Sequence, residues 1–245
     1  MDLAHYKVIL SYNGLDFAGF QRQKEVRTVQ GEFEACLREL DWQGGSILAA
    51  GRTDAGVHAS GQVVSFWLDW RHSPEDLRSA LNYYLPRDMA VQAVTIESQD
   101  FHPRFDAKKR CYVYNFFCQQ IRDPIREAYA WRVWPGIDLD KMKSASSLLI
   151  GSHDFKAFGS PTSENGITFR EVFSINWHQQ RDEYQFEICG NAFLYHMVRR
   201  IIFLLVKIGQ GEASEDLIQT CLATGKMPIT GLAPAYGLVL KEVSY

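Results

Sequence analysis

Apolar and polar residues alternate along residues 5–12 (HYKVILSY), the two-residue repeat of a strand. After a glycine-marked stretch, NGLDFAGFQRQ, the period changes. Val29, Phe33, Cys36, Leu37 and Leu40 recur at helical spacing, and Thr28 is placed to cap a helix running roughly from Val29 to Leu40. Two glycines at 44–45 break the chain. Residues 46–50 and 62–68 are apolar runs with strand character on either side of a glycine-rich loop. Ser73-Pro74-Glu75-Asp76 is a strong helix start, with a cap, a proline at the first position and acids in the first turn; this helix ends before LPRD. Further strands are expected at 90–97 and 112–118, and an antiparallel pair at 170–177 and 183–189. Helices are expected at 138–150, 193–208 and 214–223, and GLVLKEVSY closes the chain as a strand. Strands and helices alternate, yet the hairpin-like pairs favour an α+β fold over a doubly wound parallel sheet. The expected organisation is two similar halves, 1–103 and 104–245, with mostly antiparallel or mixed sheets and a shared cleft. The boundary falls near FHPRFDAKK.

Composition changes this picture little. With 46% hydrophobic and 22% charged residues, 245 residues suffice for a substantial core. The start, MDLAHYKVILSY, has neither the basic residues nor the long apolar centre of a signal peptide. The apolar run NAFLYHMVRRIIFLLVKIG is interrupted by Arg199 and Arg200, which makes it a buried helix and not a membrane span. A soluble, cytoplasmic protein is expected. Five cysteines form no CxxC pair and are odd in number, which argues against a zinc ribbon and a disulfide framework. Seven histidines form no HExxH, so a metal site is not expected.

The net charge of −3 conceals a gradient. From Phe101 to Arg132, seven basic residues (Arg104, Lys108, Lys109, Arg110, Arg122, Arg126, Arg132) face three acids. Phe101, Phe105, Tyr112, Tyr114, Phe116 and Phe117 are interleaved with them. Such a segment is either an RNA-holding face with stacking rings or a solvated strand with its rings buried.

The loop GRTDAGVH, residues 51–58, poses the sharpest chemical question. Asp54 is the only carboxylate from Trp42 to Leu68, and Arg52 stands two residues before it. The loop has no GxGxxG or GxxxxGK[ST] pattern, and a central carboxylate would repel phosphate, so it is not a nucleotide cradle. A plain Asx-turn accounts for an aspartate followed closely by glycine. A catalytic loop accounts also for the cation and for glycines that admit another backbone. An ionised, poorly solvated aspartate suits attack on a sugar carbon or proton abstraction.

GRTDAGVHA resembles the signature of the A-type tRNA pseudouridine synthases, the TruA family. The likeness extends over almost the whole chain. YNGLDFAGFQRQ, TVQGEFEACL, NYYLPRD, FHPRFDAKKRCYVY, GSHDFKAF, GNAFLYHMVR and APAYGLVLKEVSY follow in the family's order. By this resemblance Asp54 is the catalytic aspartate and Arg52 the arginine that helps extrude the target nucleotide. Tyr112 is the tyrosine that stacks on the flipped uracil, with Lys109 and Arg110 beside it as substrate-binding residues. Arg199 is the basic residue paired with the catalytic acid, whereas His58 and His196 are packing or hydrogen-bonding residues. Asn13 replaces the family's usual Asp, Phe20 its Trp, and Phe203 a common Gly; the last bears on helix packing.

The implied reaction isomerises uridine to pseudouridine within tRNA, at positions 38, 39 and 40 of the anticodon stem-loop. The N1–C1′ bond breaks, the uracil turns, and C5 joins C1′, so neither cofactor nor metal is required. Asp54 would attack C1′, remove the 2′ proton to give a glycal, or add to C6 of the base; the residues leave these routes open. The target base must leave its stack, at a cost of a few kcal/mol. Recognition by shape and phosphate contacts suits a substrate of varied sequence. The implied partners are tRNA and a second copy of the chain. Two rival readings share some features: a nucleoside or glycoside hydrolase, which normally needs a second carboxylate, and a non-catalytic RNA-binding module.

Overall fold

In the computed structural model, residues 3–161 and 166–245 are described. Along the chain the elements are β1 (Ala4–Tyr12), α1 (Val29–Arg38), β2 (Leu48–Ala49), β3 (His58–Leu68), α2 (Pro74–Tyr84), β4 (Met89–Glu97) and β5 (Lys109–Cys118). They continue with β6 (Trp131–Val133), α3 (Leu139–Ser147), β7 (Gly151–Asp154), β8 (Phe169–Gln180), β9 (Glu183–Gly190), α4 (Met197–Gly209), α5 (Leu217–Thr224) and β10 (Leu238–Ser244). Two compact units result, one of Met1–Lys108 with Val239–Tyr245 and one of Lys109–Leu238. The fold is α+β, and most strand pairs in both units are antiparallel.

In the first unit β1 lies between β4 and β3, antiparallel to both, while β10 runs parallel to β3. The expected halves divided the chain at 103/104 and kept its end with the second half. Val239 and Leu240 pair instead with His58 and Ala59, which ties the final strand to the first unit. Alternation along β1 buries Tyr6, Val8 and Leu10 on one face, opposite Phe66 and Val64 of β3. Phe33 of α1 packs its ring 5.9 Å from that of Phe66, and Leu77 and Leu81 of α2 are fully buried. Both helices start as their caps require. Thr28 Oγ1 accepts from Gly31 N–H at 3.3 Å, and Ser73 and Asp76 form a reciprocal capping box.

In the second unit β5, β9, β8 and β7 are successive antiparallel neighbours, with β6 parallel to β5. Trp177, Phe186 and Phe116 form an aromatic layer, and Trp177 donates its indole N–H to Ser146 of α3 at 3.0 Å. The helix expected from 193 starts only at Met197. His196, its N-cap, has φ 65°, a left-handed conformation that a right-handed helix cannot contain. Phe203 lies over Gly231, where any Cβ would overlap its ring, so the large side chain is matched by a missing one.

Cys111 and Cys189 form a disulfide, contrary to the expectation from cysteine spacing. They stand directly opposite each other on β5 and β9, with Cα atoms 4.2 Å apart. Register, not sequence spacing, brings them together. Cys36, Cys118 and Cys221 are free.

Candidate active site

The loop between β2 and β3 is held from several sides within the first unit. Tyr12, at the end of β1 and buried, shares a 2.8 Å hydroxyl–hydroxyl hydrogen bond with Thr53. Phe20 N–H donates to the Thr53 carbonyl at 3.0 Å, and Gln62 Nε2 donates to the Gly51 carbonyl at 3.1 Å. The loop's own turn is closed by Val57 N–H on the Asp54 carbonyl at 3.1 Å. Asp54 itself is half-buried and Arg52 is exposed.

Close backbone approaches bring the segment that follows β1 against the loop, where Gly56 N–H donates to the Phe17 carbonyl at 3.4 Å. A Cβ on Gly14 would overlap the Val57 carbonyl. Gly19, with φ +102°, would bring one to 3.1 Å from the Thr53 carbonyl. Gly14 N–H donates to Nδ1 of buried His58 at 3.0 Å, which gives that histidine the hydrogen-bonding role expected of it. At Gly51, by contrast, a Cβ would meet nothing within 4 Å. The loop is legible from its own residues; the clamp that Tyr12, Gly14, Gly19 and Gln62 form around it is not. The one sign of it in the sequence was the run YNGLDFAGF, with glycines at 14 and 19.

The clamp is itself braced. Phe17 meets the Tyr12 ring edge-on at 6.3 Å and carries the Arg27 guanidinium 4.3 Å from its centroid. Arg27 in turn forks onto both carboxylate oxygens of Asp88 at 2.6 and 2.9 Å. The Arg27 guanidinium holds the Asp88 carboxyl below its ordinary range.

In the second unit Lys109, Arg110 and Tyr112 are carried by β5, where alternation sets Arg110, Tyr112 and Tyr114 on one face. Arg110 is buried and donates Nη1 to the Asn191 carbonyl at 2.8 Å, while Lys109 is half-buried. Half-buried Tyr112 meets Phe193 edge-on, with centroids 5.2 Å apart. Arg199, in the first turn of α4, donates Nε to the Ala233 carbonyl at 2.8 Å. Tyr114 is fully buried, and its hydroxyl donates to the Pro234 carbonyl at 2.8 Å. Desolvation pushes its phenol well above the ordinary value; the Tyr236 charge adds to this and the Arg199 charge opposes it.

Much of the basic, aromatic-laced segment is internal, as in the second of the two readings its sequence leaves open. Tyr114, Phe116 and Phe117 are buried, and Arg126 lies 4.0 Å over Phe117 while bonding Asp182 at 2.9 Å. Arg132 pairs with Glu127 at 3.0 Å. Arg104, Phe105 and Lys108 are exposed. Among the described residues no group of three or more His, Cys, Asp or Glu side chains is placed to hold a metal ion.

A family model described as tRNA pseudouridine synthase matches residues 8–106 and 145–245. The chain belongs to this family. Arg52, Asp54 and Arg199 lie inside the matched segments; Lys109, Arg110 and Tyr112 lie between them. A tRNA pseudouridine synthase A of Lactiplantibacillus plantarum is 39% identical over 246 residues, covering 98% of this chain and 94% of its own. Proteins of the same description from a Bacillus species and from Pseudothermotoga lettingae are 34% and 36% identical. The first alignment covers 98% of this chain and 99% of that protein, the second 99% and 100%.

Proposed function

We propose that Asp54 is the working carboxylate of an isomerase that converts uridine to pseudouridine at positions 38, 39 and 40 of the tRNA anticodon stem-loop. Family membership supplies the reaction class. The observation that carries the assignment to Asp54 is the clamp. The one carboxylate of its stretch of sequence stands half-buried in a loop whose neighbouring residues are held on both sides by hydrogen bonds. Fixing a reactive group in advance removes reorganisation from the barrier. Arg52, exposed in the same loop, enters the space left by the extruded nucleotide. Tyr112 offers the uracil a ring face, Lys109 and Arg110 bind the nucleotide beside it, and Arg199 pairs with the Asp54 carboxylate.

The isomerisation balances within the substrate. The N1–C1′ bond breaks, the C5–C1′ bond forms, and the C5 hydrogen leaves as a proton while N1 gains one. The protein's part is to extrude the base, supply the carboxylate and retain the uracil while it turns. A hydrolase would release free uracil, so retention of the base separates the two readings. A homodimer with one tRNA across both copies, acting in the cytoplasm, completes the proposal. Among the described residues no helix is long and apolar enough to cross a membrane.

The test is to treat unmodified tRNA with the protein and map pseudouridine by carbodiimide labelling and primer extension. Stops that report modified bases at positions 38, 39 and 40 alone, each one nucleotide to the 3′ side of its base, are expected. Stops elsewhere in the molecule would refute the anticodon-arm assignment, and light scattering at twice the monomer mass checks the dimer.

A further inference from the structure

We infer that Tyr114, acting through residues 233–237, is the positioning residue for Arg199. Two adjacent carbonyls are taken by two different elements. Arg199 of α4 donates Nε to Ala233, and Tyr114 of β5 donates its hydroxyl to Pro234, each at 2.8 Å. Ala233 N–H returns a bond to the Arg199 carbonyl at 3.3 Å, so the strap is fastened to that residue at both main chain and side chain. A Cβ on Gly237 would come within 2.7 Å of the Tyr114 ring and 2.8 Å of the Asn115 carbonyl. The strap therefore lies directly against β5, and only a residue without a side chain permits that approach.

The consequence for Arg199 is geometric. Its side chain is long and has many rotamers open to it. With Nε committed to Ala233, the plane of the guanidinium is set, and with it the directions of Nη1 and Nη2. Tyr114 sets the carbonyl next to the one Arg199 uses, from a fully buried position two residues along β5 from Tyr112. Its burial keeps the phenol protonated, so it remains a donor across the working pH range. The inference rests on the reading above in which Arg199 pairs with the Asp54 carboxylate.

The experiment measures release of tritium from C5-labelled tRNA by wild type, Tyr114→Phe, Arg199→Lys and the double variant. Tyr114→Phe keeps the ring and removes only the hydroxyl. It is expected to lower kcat about tenfold with KM for tRNA within about twofold. In the Arg199→Lys background the same change is expected to add nothing, because the residue it positions is gone. The arginine Nε–H signal of Arg199, identified by its loss in Arg199→Lys, should exchange slowly in wild type and faster in Tyr114→Phe. That signal reads the positioning even if the phenylalanine variant yields little protein, since a fast-exchanging wild-type signal would itself overturn the inference. An unchanged kcat in Tyr114→Phe, or an equal fold loss in both backgrounds, would also overturn it. If Arg199→Lys leaves kcat unchanged, the role of Arg199 falls first, and the inference with it.

Discussion

Removing the Tyr12 hydroxyl tests whether the clamp serves the loop or merely the fold. In Tyr12→Phe the ring and its contact with Phe17 remain, but Thr53 loses its 2.8 Å partner. Both residues are buried, Tyr12 at 4% and Thr53 at 8% exposure, so water does not readily replace the lost bond. A buried hydroxyl pair contributes about 1 kcal/mol net, and stranding one partner costs about 1–3 kcal/mol. We take about 1–2 kcal/mol as the loss in holding residues 53 and 54 in their working geometry. If that loss falls on the chemical step, kcat drops about 5- to 30-fold. The melting temperature should fall by roughly 2–8 °C for a chain of this size. The assay is tritium release from C5-labelled tRNA under single turnover, beside a thermal melt of the same preparations. Thr53→Val should give a similar loss, and the double variant little more than either. A lowered melting temperature with an unchanged single-turnover rate would refute the reasoning, because the bond would then support the unit and not the loop.

The other predictions concern stability. Reducing the Cys111–Cys189 pair, which spans 78 residues of sequence, should remove about 4.5 kcal/mol on chain-entropy grounds, seen as a lower melting temperature in dithiothreitol that Cys111→Ser/Cys189→Ser reproduces. Asp88 is held below its ordinary value of 3.8 by Arg27, so its stabilising contribution is complete above that value and is lost as pH falls below it. Asp88→Asn should therefore lower the melting temperature at neutral pH, with the difference from wild type shrinking as pH falls below about 3.8.

What the sequence makes legible is local chemistry. Thr28 and the Ser73-Pro74-Glu75-Asp76 run mark two helix starts because a cap acts within three residues of its own position. Asp54 stands out because a lone acid among apolar and glycine residues has no solvation role to explain it. Contacts made by register are not legible in this way. Cys111 and Cys189 meet because β5 and β9 pair with one particular offset. Gly14 and Gly19 matter because their chain passes against Val57 and Thr53, and Tyr114 because the strap returns to β5 late in the sequence. The start of α4 depended on a single left-handed residue, His196, that periodicity cannot detect. The basic segment stays ambiguous in the sequence for a related reason. Interleaved rings and cations look alike whether they face RNA or, like Phe117 beneath Arg126, a neighbour in the same unit.

The most direct measurement is C5 tritium release by Asp54→Asn, which keeps the size of the side chain and removes its negative charge. Wild type should release the label from every target uridine, while the variant should release none above background and still bind tRNA within about twofold of wild type. Label released by the asparagine variant at the wild-type rate would contradict the assignment of Asp54 as the group that makes this chain an isomerase.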